Sequence, residues 1–193
     1  TAGAAMLGAW PITLDPIFSG LAWSLVFGVL ASTARALDSK AHDKLQRKAR
    51  AEVVAMLEEH ADDLRFRVRE AVTISLAMLG AAMKSELALM VEPWMDRYFH
   101  ATAVALAISQ PSWLETFAAT EHELPIRLLH QAFLLAHDAP RSAERYPGHK
   151  ALIEALAVAP GLVARRFPQP MFEQLATWAA YVKVPELRDA ILK

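Results

Sequence analysis

The side chains best suited to chemistry lie in three short groups of carboxylates and histidines. Residues 58–63 read Glu-Glu-His-Ala-Asp-Asp, residues 121–123 read Glu-His-Glu, and His130 and His137 lie further along the chain. Carboxylate and imidazole groups bind metal ions, but paired histidines on a helix usually stand one turn apart, as in H-E-x-x-H. His130 and His137 are two turns apart. We therefore expect these two histidines to have packing or surface roles.

The two acidic groups also have structural interpretations. Residues 58–63 fall between two predicted helices, where carboxylates cap free N–H groups and face solvent; a metal site is the alternative for this group. Residues 121–123 fit the first turn of a helix, where acidic side chains interact favourably with the helix dipole. Arg165 and Arg166 could meet an anionic surface, but two adjacent arginines do not make a motif.

Composition excludes several classes of function. The 193-residue chain has no cysteine, which rules out disulfides, thiol catalysis and cysteine zinc sites. It contains neither a glycine-rich phosphate loop nor the nucleophile motif G-x-S-x-G. Its formal net charge of −1 argues against a nucleic-acid-binding protein, which usually presents a basic face. The sequence predicts no catalytic residue, no cofactor or metal site, and no enzyme.

The elements that position these residues are predicted to be helices throughout. Nothing alternates with period two over a useful length, so the expected fold class is all-α. A first helix should cover about residues 39–60, and a second should run from a cap at Asp62 or Asp63 to Gly80. The apolar face of the second helix is predicted to contain the residues that recur at helical spacing: Leu64, Val68, Ala71, Val72, Leu76 and Leu79.

Further helix starts are predicted from proline and from capping-box spacing. Pro93 should open the next helix, and its buried set should include Met95, Phe99, Thr102 and Leu106. Residues 112–115 and 120–123 have the capping-box pattern, which predicts a helix start at each. Prolines at 140, 147, 160, 168, 170 and 185 should break the remaining chain into short helices.

Three helical segments are similar to one another. Residues 67–79 (RVREAVTISLAML) and 98–110 (YFHATAVALAISQ) align at an offset of 30, and residues 126–137 give a weaker third copy. Asp63 before Arg67-Val68-Arg69, with Gly80 closing the segment, resembles a HEAT repeat, a helix pair that stacks on its neighbours. Over residues 61–137 the resemblance implies an α-solenoid; an irregular helical bundle is the alternative.

The first part of the chain has a different character. No charge occurs between Asp15 and Arg35, and that run approaches the roughly 20 apolar residues needed to cross a bilayer. Small residues within it, Gly20, Ser24 and Gly28, would let another membrane helix approach closely. Residues 16–34 are therefore predicted to contact lipid and other transmembrane helices.

This stretch also resembles a known family. The motifs are PITLDP at 11–16, FSGLAW at 18–23, Phe27-Gly28 and AST at 31–33. They are similar to the last transmembrane segment of proton-driven efflux permeases of the resistance-nodulation-division (RND) superfamily, and residues 1–10 to the end of the preceding helix. The resemblance covers residues 1–34 and ends where 34–38 turn polar. The proton-relay residues of that family lie in helices absent from this sequence, so no functional residue is carried over.

The charges around the membrane segment predict an orientation. Basic residues concentrate after it, and lysine and arginine favour the cytoplasmic side of membrane helices; they are Arg35, Lys40, Lys44, Arg47, Lys48 and Arg50. We therefore expect two parts in an inner (cytoplasmic) membrane protein. Residues 1–37 form the membrane segment with the N-terminus outside, and residues 38–193 form a cytoplasmic all-α domain.

Two functions follow from this organisation. The first is a non-enzymatic, membrane-anchored helical-repeat protein whose cytoplasmic domain binds a protein partner. In that case the chain is either the C-terminal fragment of an RND-type transporter with a helical tail or a permease end joined to an unrelated domain. The alternative is a soluble HEAT-like scaffold domain with a very hydrophobic first helix.

Overall fold

The fold of the described chain is entirely helical. The computed structural model describes residues 43–192, with side chains placed from residue 47 onward. No β-strand occurs within this range, and the predicted all-α class is confirmed. The predicted membrane segment, residues 1–37, lies outside the described residues. Between residues 43 and 192, no helix combines the length and hydropathy that a membrane span requires.

The described range contains ten α-helices and three short 3-10 helices. The α-helices are α1 (Asp43–His60), α2 (Phe66–Met83), α3 (Ser85–Met90), α4 (Tyr98–Ile108), α5 (Pro111–Leu114), α6 (Glu123–His137), α7 (Pro147–Leu156), α8 (Ala159–Arg166), α9 (Pro168–Tyr181) and α10 (Pro185–Ile191). The 3-10 helices are Glu92–Asp96, Ala119–Glu121 and Arg141–Arg145.

Helix α4 lies at the centre of the fold. It packs against α2 on one side, against α6 and α7 on others, and against the 3-10 helix Glu92–Asp96. Its sequence is rich in alanine, and small side chains allow neighbouring helices to approach from several directions. Residues from nearly all of its faces are buried: His100, Ala101, Ala103, Val104, Ala105, Ala107 and Ile108.

The three mutually similar segments lie side by side. They belong to α2, α4 and α6, and contacts join α2 to α4 and α4 to α6. Helix α9 then packs on α6, while α7 packs on both α4 and α6. The central core is therefore built by helices that follow one another in the chain, with later helices added against α6 and α7.

Proline sets most of the later helix starts, as the sequence predicts. Helices α7, α9 and α10 each begin at a proline, and Pro160 is the second residue of α8. Proline suits the first turn because its missing N–H would have no partner there and its φ is already helical. Pro93 differs from the prediction: it lies in the 3-10 helix, and α4 begins only at Tyr98.

Gly80 does not end α2, which is a correction to the prediction. The helix continues to Met83, and the chain reverses at Lys84, where φ is 54°. Gly80 is instead a site of close packing, because a Cβ there would lie 2.0 Å from Cδ2 of Trp113. The Trp113 indole N–H donates to the carbonyl of Lys84 at 3.0 Å. The glycine therefore makes room for a tryptophan whose hydrogen bond holds the turn after α2.

The start of α2 also differs from the predicted cap. Residue Arg65 precedes the helix, and no side chain caps it. Asp63 instead accepts hydrogen bonds from the backbone N–H of Arg65 at 2.8 Å and from its guanidinium at 2.7 and 2.9 Å. Leu64 was predicted to be on the buried face, but it is 97% exposed because it lies in this turn and not in the helix.

The two capping-box predictions have different outcomes: the first gives a single helical turn, whereas the second coincides with the start of the 15-residue α6. Residues 112–115 fall on α5, which is a single turn. Residues 120–123 fall at the junction of the 3-10 helix Ala119–Glu121 and α6. There the Glu121 carboxylate accepts from the backbone N–H of Ala118 at 2.7 Å. The capping-box pattern therefore marks where the chain turns, and tertiary packing determines the length of the helix that follows.

Candidate functional site

The acidic group at residues 58–63 is spread over separate structural contacts. Glu58 forms an ion pair with Arg97, which joins the end of α1 to the start of α4. The His60 imidazole contacts the carbonyl of Met56 at 2.9 Å, and Asp63 pairs with Arg65. The Arg65 guanidinium holds the pKa of the Asp63 carboxyl below its usual value. Across residues 43–192, no three His, Asp or Glu side chains converge as a metal site would need.

His130 and His137 both take part in the packing of α6 against α9. Nδ1 of His130 accepts a hydrogen bond from the indole N–H of Trp178 at 2.9 Å, and burial lowers the His130 pKa. His137 stacks on Tyr181 with ring centroids 4.5 Å apart. Phe133 and Trp178 stack between them at 4.7 Å. These histidines extend an aromatic contact between two helices.

The other polar groups singled out from the sequence also have local partners. Glu121 bonds the chain in the turn before α6, and the His122 ring lies 3.2 Å from the carbonyl of Ala119. The Arg166 guanidinium donates to the carbonyl of Phe117 at 3.0 Å, which joins α8 to the loop after α5. Arg165 is exposed. None of these contacts forms a constellation that could carry a reaction.

The feature that stands out is a groove over one face of α4. Helices α2 and α7 form its walls, α4 forms its floor, and its volume is about 500 Å³. We call it the α4 groove. Its lining residues are Phe66, Arg69, Glu70, Thr73, Ile74, Phe99, Thr102, Ala103, Leu106, Pro147, Lys150, Ala151 and Glu154.

The floor of the α4 groove is a regular helix stripe. Phe99, Thr102, Ala103 and Leu106 stand at positions i, i+3, i+4 and i+7 of α4. Phe99, Thr102 and Leu106 are only half-buried, although the sequence placed them in the buried set. Apart from these residues and Tyr98, the residues of α4 are buried. The groove floor is therefore an incompletely covered face of a largely buried helix.

The wall formed by α2 presents large apolar side chains to solvent. Phe66 is 62% exposed and Ile74 is 46% exposed. Isolated exposed apolar residues are normal on a protein surface, but apolar residues gathered along a concavity mark binding sites. Phe66 and Ile74 stand two turns apart on the same helix as Arg69 and Thr73. The wall and the floor together place several large apolar side chains along the groove.

The two threonine hydroxyls and the arginine of the groove surface already have hydrogen-bond partners on the backbone. The Thr73 hydroxyl donates to the carbonyl of Arg69 at 3.3 Å, and the Thr102 hydroxyl donates to the carbonyl of Tyr98 at 2.8 Å. The Arg69 guanidinium donates to the carbonyls of Asp63 and Leu64 at 2.6 and 3.1 Å. These contacts leave the floor dominated by carbon surface.

One end of the groove is closed by aromatic rings and a cation. The Arg69 guanidinium lies 4.2 Å from the centroid of the Phe99 ring. Tyr146 packs against Phe99 with centroids 5.7 Å apart, and its hydroxyl reaches Asp62 at 3.4 Å. Burial and the nearby Asp62 raise the pKa of Tyr146. A Cβ on Gly148 would lie 2.6 Å from the Tyr146 ring, so glycine is needed to seat it.

Charged residues line the two rims. On α2, Glu70 pairs with Arg67 at 2.6 Å. On α7, Lys150 and Glu154 stand one helical turn apart and are both exposed.

Sequence reasoning missed the groove because periodicity shows which residues face inward but does not show whether another helix covers them. The only available signal was Thr102 in an otherwise apolar set.

A comparison of the chain with protein-family models, with curated proteins and with solved structures found no match.

Proposed function

We propose that this chain is a non-enzymatic, membrane-anchored helical protein that binds a protein partner through the α4 groove. The observation that carries the proposal is the half-covered apolar face of a helix that is otherwise central to the core. Concave surfaces of about this volume that are lined mainly by apolar side chains are typical of binding sites. The groove has mixed charges on its rims and no basic field, which favours a protein partner over a nucleic acid.

The helical repeat interpretation supports the same function. Segments with similar sequences in α2, α4 and α6 pack side by side in chain order. Stacked helical units create extended surfaces that bind other macromolecules. We propose that residues 61–137 are a HEAT-like stack, and that the groove between this stack and α7 is the binding surface.

The anchor is proposed from residues 16–34 and their flanks. Their lack of charge, their similarity to the last segment of RND permeases, and the basic residues that follow support insertion in an inner membrane with residues 38–193 in the cytoplasm. The chain would then carry the end of a transporter-like polypeptide. Lipid and other transmembrane helices would contact residues 16–34.

The anchor is tested by expressing the chain in bacteria and washing the membranes with alkaline carbonate. An inserted segment keeps the chain in the membrane pellet. Recovery in the soluble fraction would support the alternative function, a soluble helical scaffold, and would not by itself affect binding at the groove. The control is the double variant Leu21→Arg/Val26→Arg, which should release an anchored chain because arginine is unfavourable at the centre of a membrane helix.

Partner binding is tested by co-purification of the full chain with proteins of its host. Three chains are compared: native, Ile74→Glu in the groove, and Leu89→Glu as a control. Leu89 is 57% exposed and lies outside the groove lining, so the two variants add the same charge at comparable exposure. A partner of the groove co-purifies with the native and Leu89→Glu chains and not with Ile74→Glu. Equal recovery with all three chains would refute the proposal.

A further inference from the structure

We infer that the partner presents an amphipathic helix of about three turns to the α4 groove. This inference rests on the proposed function and specifies the form that the partner takes. It is argued from the hydrogen bonding of the groove surface, from the spacing of its floor, and from the charges of its rims.

The hydrogen bonding of the groove favours a helical occupant. Any peptide that enters must satisfy its own backbone N–H and C=O groups, because a buried unpaired group costs free energy. The surface has no strand edge for an extended peptide to pair with, since residues 43–192 contain no strand. The Thr73 and Thr102 hydroxyls already donate within their helices. A helix pairs its own backbone and needs only apolar contact from the groove.

The spacing of the floor matches the face of another helix. Phe99, Thr102, Ala103 and Leu106 form the i, i+3, i+4, i+7 ridge through which helices pack into grooves. The ridge runs over eight residues, and its seven steps of about 1.5 Å give about 10 Å along α4. The lining of the α2 wall, from Phe66 to Ile74, extends about 12 Å, so a helix of about three turns would cover the floor and the wall together. Ala103 in the centre allows a close approach.

The rims specify charges on the flank of that helix. Glu70 is paired with Arg67 on the α2 rim, whereas Lys150 and Glu154 have no ion pair with another residue of the described chain. A helix with an acidic and a basic residue one turn apart would pair with both of them. Glu70 and Glu154 also disfavour a surface of anionic lipid at this site.

The test uses a labelled peptide and the purified full chain. The peptide has about 14 residues, with leucine at i, i+3, i+4 and i+7 and with one Glu and one Lys on its flank, one turn apart. If the carbonate wash leaves the chain in the membrane pellet, the chain is held in phosphatidylcholine nanodiscs, so that no detergent occupies the groove. If the wash releases the chain, it is held in buffer. Fluorescence anisotropy then measures the dissociation constant for the native chain, for Ile74→Glu and for Leu89→Glu.

We expect saturable binding to the native chain, at least about tenfold weaker binding to Ile74→Glu, and less than about a twofold change for Leu89→Glu. Both side chains are exposed, so circular dichroism melts should coincide for the three chains. Absent binding, or equal loss in the two variants, would overturn the inference. A partner that still co-purifies in a groove-dependent way would leave the proposed function standing, so the two failures are distinguishable.

The rim charges are tested by exchanging them. The native chain should prefer one order of Glu and Lys on the peptide flank, and the variant Lys150→Glu/Glu154→Lys should prefer the reversed order. Both residues are exposed and outside the core, so the exchange leaves the fold and the net charge unchanged. Identical preference in the two chains would show that the rims do not select the helix and would contradict this part of the inference.

Discussion

At the scale of single residues, this fold depends on a few close contacts between side chains and helix backbone. Gly80 and Trp113 are the clearest pair, because the indole lies directly against α2 and bonds the carbonyl of Lys84. Lys84 adopts a positive φ of 54°, which a residue with a Cβ seldom adopts. The tryptophan therefore stabilises a turn that the backbone alone would disfavour.

Gly80→Ala should destabilise the protein. The added Cβ would overlap the Trp113 ring, and overpacking of a core costs about 1–3 kcal/mol, which exceeds the roughly 1 kcal/mol that alanine gains in helix propensity. Gly161→Ala in α8 is the matched control, because nothing lies within 4 Å of its Cβ position. Denaturant unfolding measures both. A Gly80→Ala chain as stable as the control variant would show that Trp113 is not packed there.

His100 is the residue through which stability should depend on pH. It is 2% exposed, its Nε2 contacts the carbonyl of Glu58 at 3.0 Å, and its Nδ1 has no hydrogen-bond partner among the described residues. Burial, together with the nearby Arg97, lowers the His100 pKa. The unfolded chain then binds more protons than the folded chain once pH falls below the ordinary histidine value of about 6.5.

We therefore expect stability to be highest above about pH 6.5 and to fall as the solution is acidified. Burial lowers the His130 pKa and adds a contribution of the same sign. Thermal melts between about pH 7.5 and pH 5 measure the slope. His100→Gln, which keeps a donor for the Glu58 carbonyl, should make that slope shallower. An unchanged slope in this variant would assign the pH dependence to other groups.

At the scale of elements, α2 has two faces with different tasks. Val68, Leu76 and Leu79 are fully buried against the core, while Phe66 and Ile74 stand on the groove wall. The same helical periodicity produces both faces: Ile74 and Leu76 are two residues apart, about half a turn, and so lie on opposite sides of α2.

Leu76→Asp and Ile74→Asp should therefore have very different effects. The first places an unpaired charge in a packed interior, which costs several kcal/mol and should lower the melting temperature of the full chain strongly. The second places the same charge on a half-exposed wall and should change stability by less than about 0.5 kcal/mol. Differential scanning fluorimetry compares them. If Leu76→Asp melts like the native chain, α2 is not a core helix.

At the scale of the whole molecule, the helices are arranged around α4, and the function that we propose for this arrangement is binding. The polar residues that could have held a metal are separated by structural contacts, such as those of Glu58 with Arg97 and His130 with Trp178. Within residues 43–192, the surface that we propose for a partner is the α4 groove. We therefore expect partner binding to depend on the shape of the α4 groove and on the apolar area that its lining exposes.

Removal of metal should leave the protein unchanged. We expect the purified full chain to carry no stoichiometric metal and to melt at the same temperature with and without a chelator, because structural metals contribute large folding free energies when they are present. Elemental analysis and thermal melts provide the measurement. A bound metal whose removal lowers stability would contradict the prediction, and residues 58–63 would be the first place to examine.

The amino-acid sequence by itself determined the class of fold and most of the helix breaks. Helical periodicity marks Val68, Leu76 and Leu79 as core, and proline marks the starts of α7, α9 and α10, because both signals are local and act through the geometry of one helix. The same reasoning was wrong for Leu64, which is exposed, and for Gly80, which does not end α2. Their roles depend on where the chain leaves α2 and on Trp113, which is distant in the sequence.

Only the tertiary structure decided what becomes of each apolar face. Phe99, Thr102 and Leu106 have the periodicity of core residues, yet they line the α4 groove because α2 and α7 stand apart over that face. The pattern of one helix records its apolar stripe, whereas coverage of the stripe depends on the positions of every other helix. For the same reason, the separation of the residue 58–63 carboxylates became visible only when Arg97 and Arg65 were seen beside them.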